Sequence, residues 1–480
     1  MIGHSGRQRL ILITYAYPPD LAVGALRWQK FTQYGSEAGW GFDVITLHAD
    51  QLKARDEFGL SELPPDTNII GVRHESGGLN RAHRAALEMR ARARHLFSST
   101  DAGVRADAPR AGESVAPEVG AIQSLKASYA ALHEYDHYAR WARAAVAAAR
   151  RILDPRVHRG IVTSGPPHMA HEAGRRVARA SGLPLIVDFR DLWSGVQRLD
   201  SVGPLWYRFA EFYERRVIDR ARLVVTTTEP AAEWLRREYP ARADRVIAVL
   251  NGFDDEPALP ASPPTHRFVI AFSGSIYLDR SPVELFAAAA RVVRDLGLEP
   301  SDFGVEFMGG VSHYNGTPVM DLARAAGVEQ FVQLYPARPR DEVYKFLASA
   351  AVLVSLPQDS HRAIPAKIFE YMRFPAWLLI LAEADSATAG VFAGTTADVV
   401  SQHDVDGIVS ILRERYLAFR AGARPEPVAG QGPFSRREQA SRLFSAIDDV
   451  IAGRVPDSSP ARAIATTGVA SVMSSSVRPS

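Results

Sequence analysis

The 480-residue chain contains no cysteine, which excludes disulfide bonds, thiolate metal centres and a cysteine nucleophile. That absence permits a cytosolic setting without requiring one. Net charge is nearly absent as well. Its 56 basic and 54 acidic residues leave a formal charge of +2, without the basic excess of a dedicated nucleic-acid binder. Long apolar runs are missing: "AWLLILA" at 376–382 falls far short of the roughly 20 residues that span a bilayer. The amino-terminal run "RLILITY" meets Tyr-Pro-Pro too soon for a signal sequence, so no leader and no membrane span are expected. The loop that follows carries Gly24 alone where a G-x-G-x-x-G fingerprint needs three glycines, so a nicotinamide cofactor is not expected.

What is present reads as an ordinary globular protein, 46% hydrophobic and 23% charged, long enough for two or three domains. "RLILITY", a loop, the helical pattern "ALRWQKFTQYGSEAG" and the strand "FDVITLHA" form a βαβ unit, the start of a doubly wound parallel sheet. From about 77 to 150 the pattern turns Ala- and Arg-rich, which predicts a helical insertion. Alternation then resumes through "GIVTSG", "LPLIVDF", "RLVVTTT" and "RVIAVLNGFD". After the proline-rich "ASPPTHR" the α/β rhythm restarts, with "FVIAFSGS", "GVEFMGG", "FVQLYPA", "AVLVSL" and "WLLILA" as strands. The predicted organisation is a Rossmann-like domain at 1–258, a second at 266–432, a C-terminal helix at 433–452 and a Ser/Ala/Pro-rich disordered tail at 453–480. Two such halves predict a central cleft at the C-terminal ends of their strands.

"IPAKIFEYM", 364–372, is a sharp loop-to-helix entry, because proline is favoured at a first helical position and holds Ile364 extended. Such an entry aims backbone N–H groups at an anion, phosphate being the usual one. Lys367 in the first turn opposes the helix dipole and makes more sense beside an anion. Glu370 is suited to accept two hydrogen bonds from a ribose diol. Read alone, a Lys and a Glu three apart on a helix are more often an exposed ion pair.

"IPAKIFEYM" resembles the donor-site motif of family 4 retaining glycosyltransferases of the GT-B fold. Further pieces follow in order across about 9–450: "YPPDLAVGALR", "SGPPHMAH", "DFRDLW", "NGFD" and "FSGSIYLDRSP". The resemblance implies an α/β GT-B fold and a metal-independent transferase using a nucleotide-sugar co-substrate and no cofactor. Acceptors would be glycans, lipid-linked molecules or small molecules, as in bacterial cell-surface polysaccharide biosynthesis. It implies donor contacts from Gly24, Gly274, Ser275, Arg280, Ala366, Lys367 and Glu370, and catalytic roles for His168, Asp191, Arg280 and Lys367.

Departures from the pattern are visible. In "GSIYLDR", Arg280 stands at the family's phosphate-binding lysine and Ser275 at its arginine, with Lys367 or Arg338 as replacements for the lost cation. Arg362 stands where a carboxylate would orient the donor sugar; Asp359 and His361 are nearby substitutes. "RFPAWL", with Phe374, replaces a glycine-containing turn. His168 reads equally as a helix cap. Asp188, Arg190 and Asp191 read equally as an internal ion pair that orders their loop. "DDE" at 254–256 predicts a turn cap rather than an ion site. Neither a general base nor a carboxylate nucleophile stands out, which fits retention through front-side displacement. The Arg-rich "RAHRAALEMRARARHLF" is either a membrane-surface helix or a solvated face. A cytoplasmic protein with peripheral contact at the inner membrane face is the expected setting. The alternatives are a sugar-nucleotide epimerase or hydrolase of the same fold, or a binding subunit whose site has drifted.

Overall fold

The structure is a computed structural model that describes residues 7–52, 54–55, 57–74, 121–195, 199–255, 258–261, 265–277, 280–357 and 360–458. The Arg-rich segment at 81–97, Asp359, residues 262–264 of the proline-rich 261–267 and the tail beyond 458 lie outside the described residues. These form two compact units. One comprises residues up to 226, 234–246 and 443–456; the other comprises 227–233, 247–442 and 457–458.

The first unit is built on a seven-stranded sheet. Its strands are β1 (Arg9–Thr14), β2 (Gly41–Leu47), β3 (Asn68–Val72), β4 (His158–Gly165), β5 (Leu185–Phe189), β6 (Leu223–Thr226) and β7 (Val246–Ala248). They lie in the order β3-β2-β1-β4-β5-β6-β7, and the pairings from β3 through β6 are parallel. Strands covered on both faces are apolar without alternation, and β1, β2 and β5 are buried along their whole length. Arg9 opens β1 yet is only 2% exposed, because its guanidinium donates to Asp43 at 2.9 and 3.0 Å and to two backbone carbonyls.

The helices of this unit include α1 (Val23–Glu37), α2 (Glu57–Ser61), α3 (Ala121–Ile152), α4 (Met169–Ser181) and α5 (Leu199–Arg220). α3 packs on α4 and α5 through buried Trp141, Ala142, Ala145 and Ala149, the small residues allowing close approach. The helix α6 (Glu229–Glu238) follows β6.

The second unit holds a six-stranded, all-parallel sheet in the order β12-β9-β8-β13-β14-β15. Its strands are β8 (Phe268–Ser275), β9 (Phe303–Gly310), β12 (Val332–Tyr335), β13 (Val352–Ser355), β14 (Trp377–Leu381) and β15 (Asp398–Val400). The short β10 (His313–Tyr314) and β11 (Thr317–Pro318) form a separate hairpin. Each face has its own apolar cluster, one around Phe268, Phe286 and Phe307, the other around Ile368, Tyr371 and Leu378. Helices α7 (Val283–Leu296), α8 (Val319–Ala325), α9 (Arg340–Ala348), α10 (Ala366–Tyr371), α11 (Ala387–Phe392), α12 (Val405–Arg420) and α13 (Arg436–Ile451) complete the described set. α11, β15 and α12 extend the α/β rhythm beyond the last strand recognised in the sequence. Asp254 is 4% exposed and forms a buried ion pair with Arg436 of α13.

Candidate functional site

Six of the sequence-predicted residues belong to the second unit: Gly274, Ser275, Arg280, Ala366, Lys367 and Glu370. Gly274 is the penultimate residue of β8, and its φ of +134° suits only glycine. A Cβ there would lie 2.7 Å from Lys367 Nζ. Lys367 donates to the Ser273 carbonyl at 3.0 Å and sits 3.6 Å from the Phe272 ring centroid. Burial, reinforced by the Arg280 charge, holds its pKa well below the ordinary lysine value. The Tyr371 hydroxyl accepts from Ser273 N–H at 2.8 Å, which fixes the same strand end, and burial pushes it up to about 12. Arg280 donates to the Ser275 carbonyl at 3.2 Å and stacks on Tyr277. Of the two replacement cations named from the sequence, Lys367 lies against Gly274, while exposed Arg338 lies 3.8 Å from Glu342.

Two residues upstream of Lys367 the chain is still extended at Pro365, and α10 runs only six residues from Ala366. Lys367 turns toward β8 and Glu370 toward α9. The Tyr344 hydroxyl donates to Glu370 Oε2 at 2.6 Å and accepts from Arg340 at 2.7 and 3.1 Å. Arg373 lies 3.5 Å from the same carboxylate. Among the described residues nothing hydrogen-bonds Glu370 Oε1, although the Arg340 guanidinium is 3.5 Å away. The carboxylate is thus oriented through one oxygen, while the other is buried without a hydrogen bond among the described residues. The Arg362 carbonyl accepts from Thr228 at 2.6 Å, and His361 lies 3.2 Å from Asp385.

Gly24, His168 and Asp191 belong to the first unit. Gly24 meets Arg190: its carbonyl accepts from that guanidinium, as does the carbonyl of Pro166. Asp188 is fully buried and accepts from Arg27 at 3.0 Å, Trp28 at 2.7 Å and Ser164 at 2.9 Å, and its charge, with that of Asp191, also acts on the Arg190 guanidinium. Asp191 is exposed.

His168 sits before α4 without a side-chain cap. Its ring stacks on Trp193 with centroids 5.1 Å apart, and Trp193 stacks in turn on Tyr213. Burial, then the charges of His171 and Arg190, hold the His168 pKa well below the ordinary value. Its Nδ1 finds no hydrogen-bond partner among the described residues. A neutral imidazole with one open nitrogen results. Ser194 and its backbone N–H both donate to buried Glu214, anchoring the loop that carries Trp193.

Sequence reasoning missed Tyr344, Arg340 and Trp193. Trp193 stood inside the quoted "DFRDLW", but its stacking depends on a helix elsewhere in the chain. Tyr344 and Arg340 lie 26 and 30 positions before Glu370, and no spacing rule links them. Among the described residues no three His, Asp or Glu side chains gather as a metal site, and no helix is long and apolar enough to cross a membrane.

Comparison with known proteins adds a further observation. Residues 74–252, less than half of the chain, match the model of the glycosyl transferase 4-like domain. The chain is similar to the D-inositol 3-phosphate glycosyltransferases of Corynebacterium glutamicum and Nocardiopsis dassonvillei, 24% and 26% identical over 51% and 46% of this chain. Those alignments cover 61% and 54% of the two relatives, less than two thirds of their length. Its fold is similar to sucrose-phosphate synthase from Thermosynechococcus elongatus, with TM-score 0.56, 13% identity and coverage of 93% and 97% of the two chains. A glycosyltransferase from Rickettsia africae gives 0.58, 10% identity and 93% and 98% coverage. Anabaena HepE, solved with UDP and glucose, gives 0.51, 11% identity and 92% and 100% coverage. The fold is therefore GT-B, with two Rossmann-like domains.

Proposed function

We propose that the chain is a retaining glycosyltransferase moving a sugar from a nucleotide-sugar donor to a glycan, glycolipid or other small acceptor, as in cell-surface polysaccharide biosynthesis. The observation that carries this reading is the pairing, on one six-residue helix, of a largely buried lysine beside Gly274 near the end of β8 with a carboxylate that has one oxygen without a hydrogen bond among the described residues. Among the described residues Lys367 forms no ion pair with a carboxylate, so its charged form is best satisfied by an added anion. In this reading the donor diphosphate lies against Gly274, Ser275 and Ala366, held by Lys367 and Arg280. Glu370 accepts from the ribose diol.

The chemistry would be front-side displacement. As the bond from the anomeric carbon to the diphosphate oxygen breaks, the acceptor oxygen bonds to the same face and its proton passes to the leaving diphosphate. The protein's part is orientation and stabilisation of the developing negative charge by Lys367 and Arg280. Two cations at the diphosphate would take the place of a metal. The first unit would hold the acceptor. Nucleotide-sugar use supports a cytoplasmic setting, with peripheral contact at the inner membrane face if the acceptor is lipid-linked.

The test is a panel of nucleotide sugars, scored by thermal shift and by nucleotide release with and without a membrane lipid extract, for the native chain and Glu370→Gln. One donor should stabilise the native chain and not the variant, with release rising when acceptor is supplied. Release independent of acceptor would indicate an epimerase or hydrolase. Absence of stabilisation by any donor would leave a binding subunit and sink the proposal.

A further inference from the structure

The first sheet has a second chemically distinctive edge. His168 and Asp191 follow the C-terminal ends of β4 and β5, whereas a cavity of about 440 Å³ opens where β5, β6 and β7 begin. Arg220, Arg222, Arg245 and Arg454 line it, with Asp244 as the carboxylate in its wall. Arg222 immediately precedes β6 and Arg245 immediately precedes β7. The end of α13 supplies the remaining wall through Val450, Ile451 and Arg454.

Helix ends explain part of this arrangement. Helices antiparallel to the strands bring their C-termini, with spare carbonyls, to this edge. Arg220 Nη2 donates to the Ala178 and Leu183 carbonyls at 2.9 and 3.3 Å, and Arg245 Nη1 donates to the Ala221 carbonyl at 3.1 Å. Arg454 pairs with Asp449 at 2.7 Å. Helix capping accounts for one edge of each of two guanidiniums and leaves most of their N–H groups unused. Arg222 is exposed and caps nothing. Among the described residues Arg220, Arg222 and Arg245 form no ion pair with a carboxylate, and the nearby Asp219 is 3.7 Å from Arg242. Burial, and then the Arg222 charge, lower the Arg220 pKa. Arginines brought together against their own repulsion, two of them fixed by backbone carbonyls, form a ready receptor for a planar or tetrahedral oxyanion.

We propose that this cavity binds a phosphate-bearing ligand, at the edge of the sheet opposite to the one carrying His168 and Asp191. The ligand's shared chemistry is a phosphate or diphosphate group, carried either on a soluble molecule or on a lipid headgroup. Phosphate oxygens would bridge Arg220, Arg222 and Arg245. This is a site separate from the Lys367 constellation and does not depend on the proposed transfer reaction.

The test uses the full chain with Lys367→Ala, so that pyrophosphate at the candidate donor site does not obscure the signal. Inorganic pyrophosphate should stabilise this chain thermally. Adding Arg222→Glu should weaken its binding by about tenfold or more, as expected for a lost charge-assisted contact turned repulsive. Among the described residues the Arg222 side chain makes no hydrogen bond, and its backbone bond to the Leu185 carbonyl survives substitution, so melting in phosphate-free buffer should stay unchanged. Arg245→Gln, which keeps a donor to the Ala221 carbonyl, is the second variant and should weaken pyrophosphate binding as well. Co-sedimentation with phosphatidylglycerol vesicles, against phosphatidylcholine alone, separates the sources. Sedimentation lost in Arg222→Glu assigns a lipid headgroup. A pyrophosphate effect without sedimentation assigns a soluble ligand. If neither probe distinguishes the native residue at 222 from glutamate, the arginines only cap helices and the proposal is overturned.

Discussion

The Arg190 guanidinium occupies the space that a side chain at Gly24 would need: a Cβ built on Gly24 falls 1.9 Å from Arg190 Nη1. The guanidinium cannot simply swing away, because it donates to the carbonyls of Gly24 and Pro166 and is largely buried. Gly24→Ala should therefore expel Arg190 and destabilise the first unit by about 1–3 kcal/mol. In an Arg190→Ala background the same change should cost much less. A double-mutant cycle by chemical denaturation measures the difference, and additive effects would refute the steric account.

Lys367 should make anion binding proton-linked. Burial lowers its pKa well below 10.5, so in the window between the folded and ordinary values the unfolded chain binds more protons. Stability of the free protein therefore rises with pH across that window and loses this contribution as pH falls through the folded pKa. A bound diphosphate restores the charged form, so binding there should take up a proton. Calorimetry of nucleoside diphosphate binding in buffers of different ionisation enthalpy reads this directly. Lys367→Ala should abolish the uptake.

Tyr344 is a positioning residue for Glu370. Tyr344→Phe removes the 2.6 Å hydrogen bond to the carboxylate and the acceptor for Arg340, at a cost of about 1–3 kcal/mol. The expected signature is weaker donor binding, by up to about tenfold, with kcat at saturating donor nearly unchanged. A fall in kcat alone would contradict a role in donor binding.

His171 should shape acid stability. Its Nδ1 lies 2.9 Å from Thr163 Oγ1, and burial, then the Arg190 charge, lower its pKa to about 3. Between that value and 6.5 the unfolded chain carries a proton that the folded chain excludes, so stability falls as pH falls through this window. The slope is roughly 1.4 kcal/mol per pH unit for one proton. His168 is depressed in the same sense. His171→Phe, which keeps a ring against Phe189, should remove about one proton's slope from the pH dependence of denaturation; an unchanged slope would refute the assignment.

The sequence alone determined the two α/β units and most of their strands, because strands covered on both faces must be apolar runs and the loops between them are marked by glycine and proline. It also located Lys367 and Glu370, since proline before a helix and charges in its first turns are local features. Partnerships were a different matter. The sequence placed Asp188, Arg190 and Asp191 together, but the fold gives Asp188 to Arg27 and Trp28 of α1, 161 and 160 positions away, and Arg190 to the backbone beside Gly24. Asp254 likewise found Arg436, 182 positions distant. A buried charge must be paired, yet which opposite charge lies within reach depends on which strands become neighbours. Sheet order decided that: β1 inserts beside β4, bringing α1 to the end of β5. For the same reason Arg220 and Arg222, from the junction of α5 and β6, meet Arg245, from the junction before β7, at the opposite edge of the first sheet, a grouping across connections that only the tertiary structure creates.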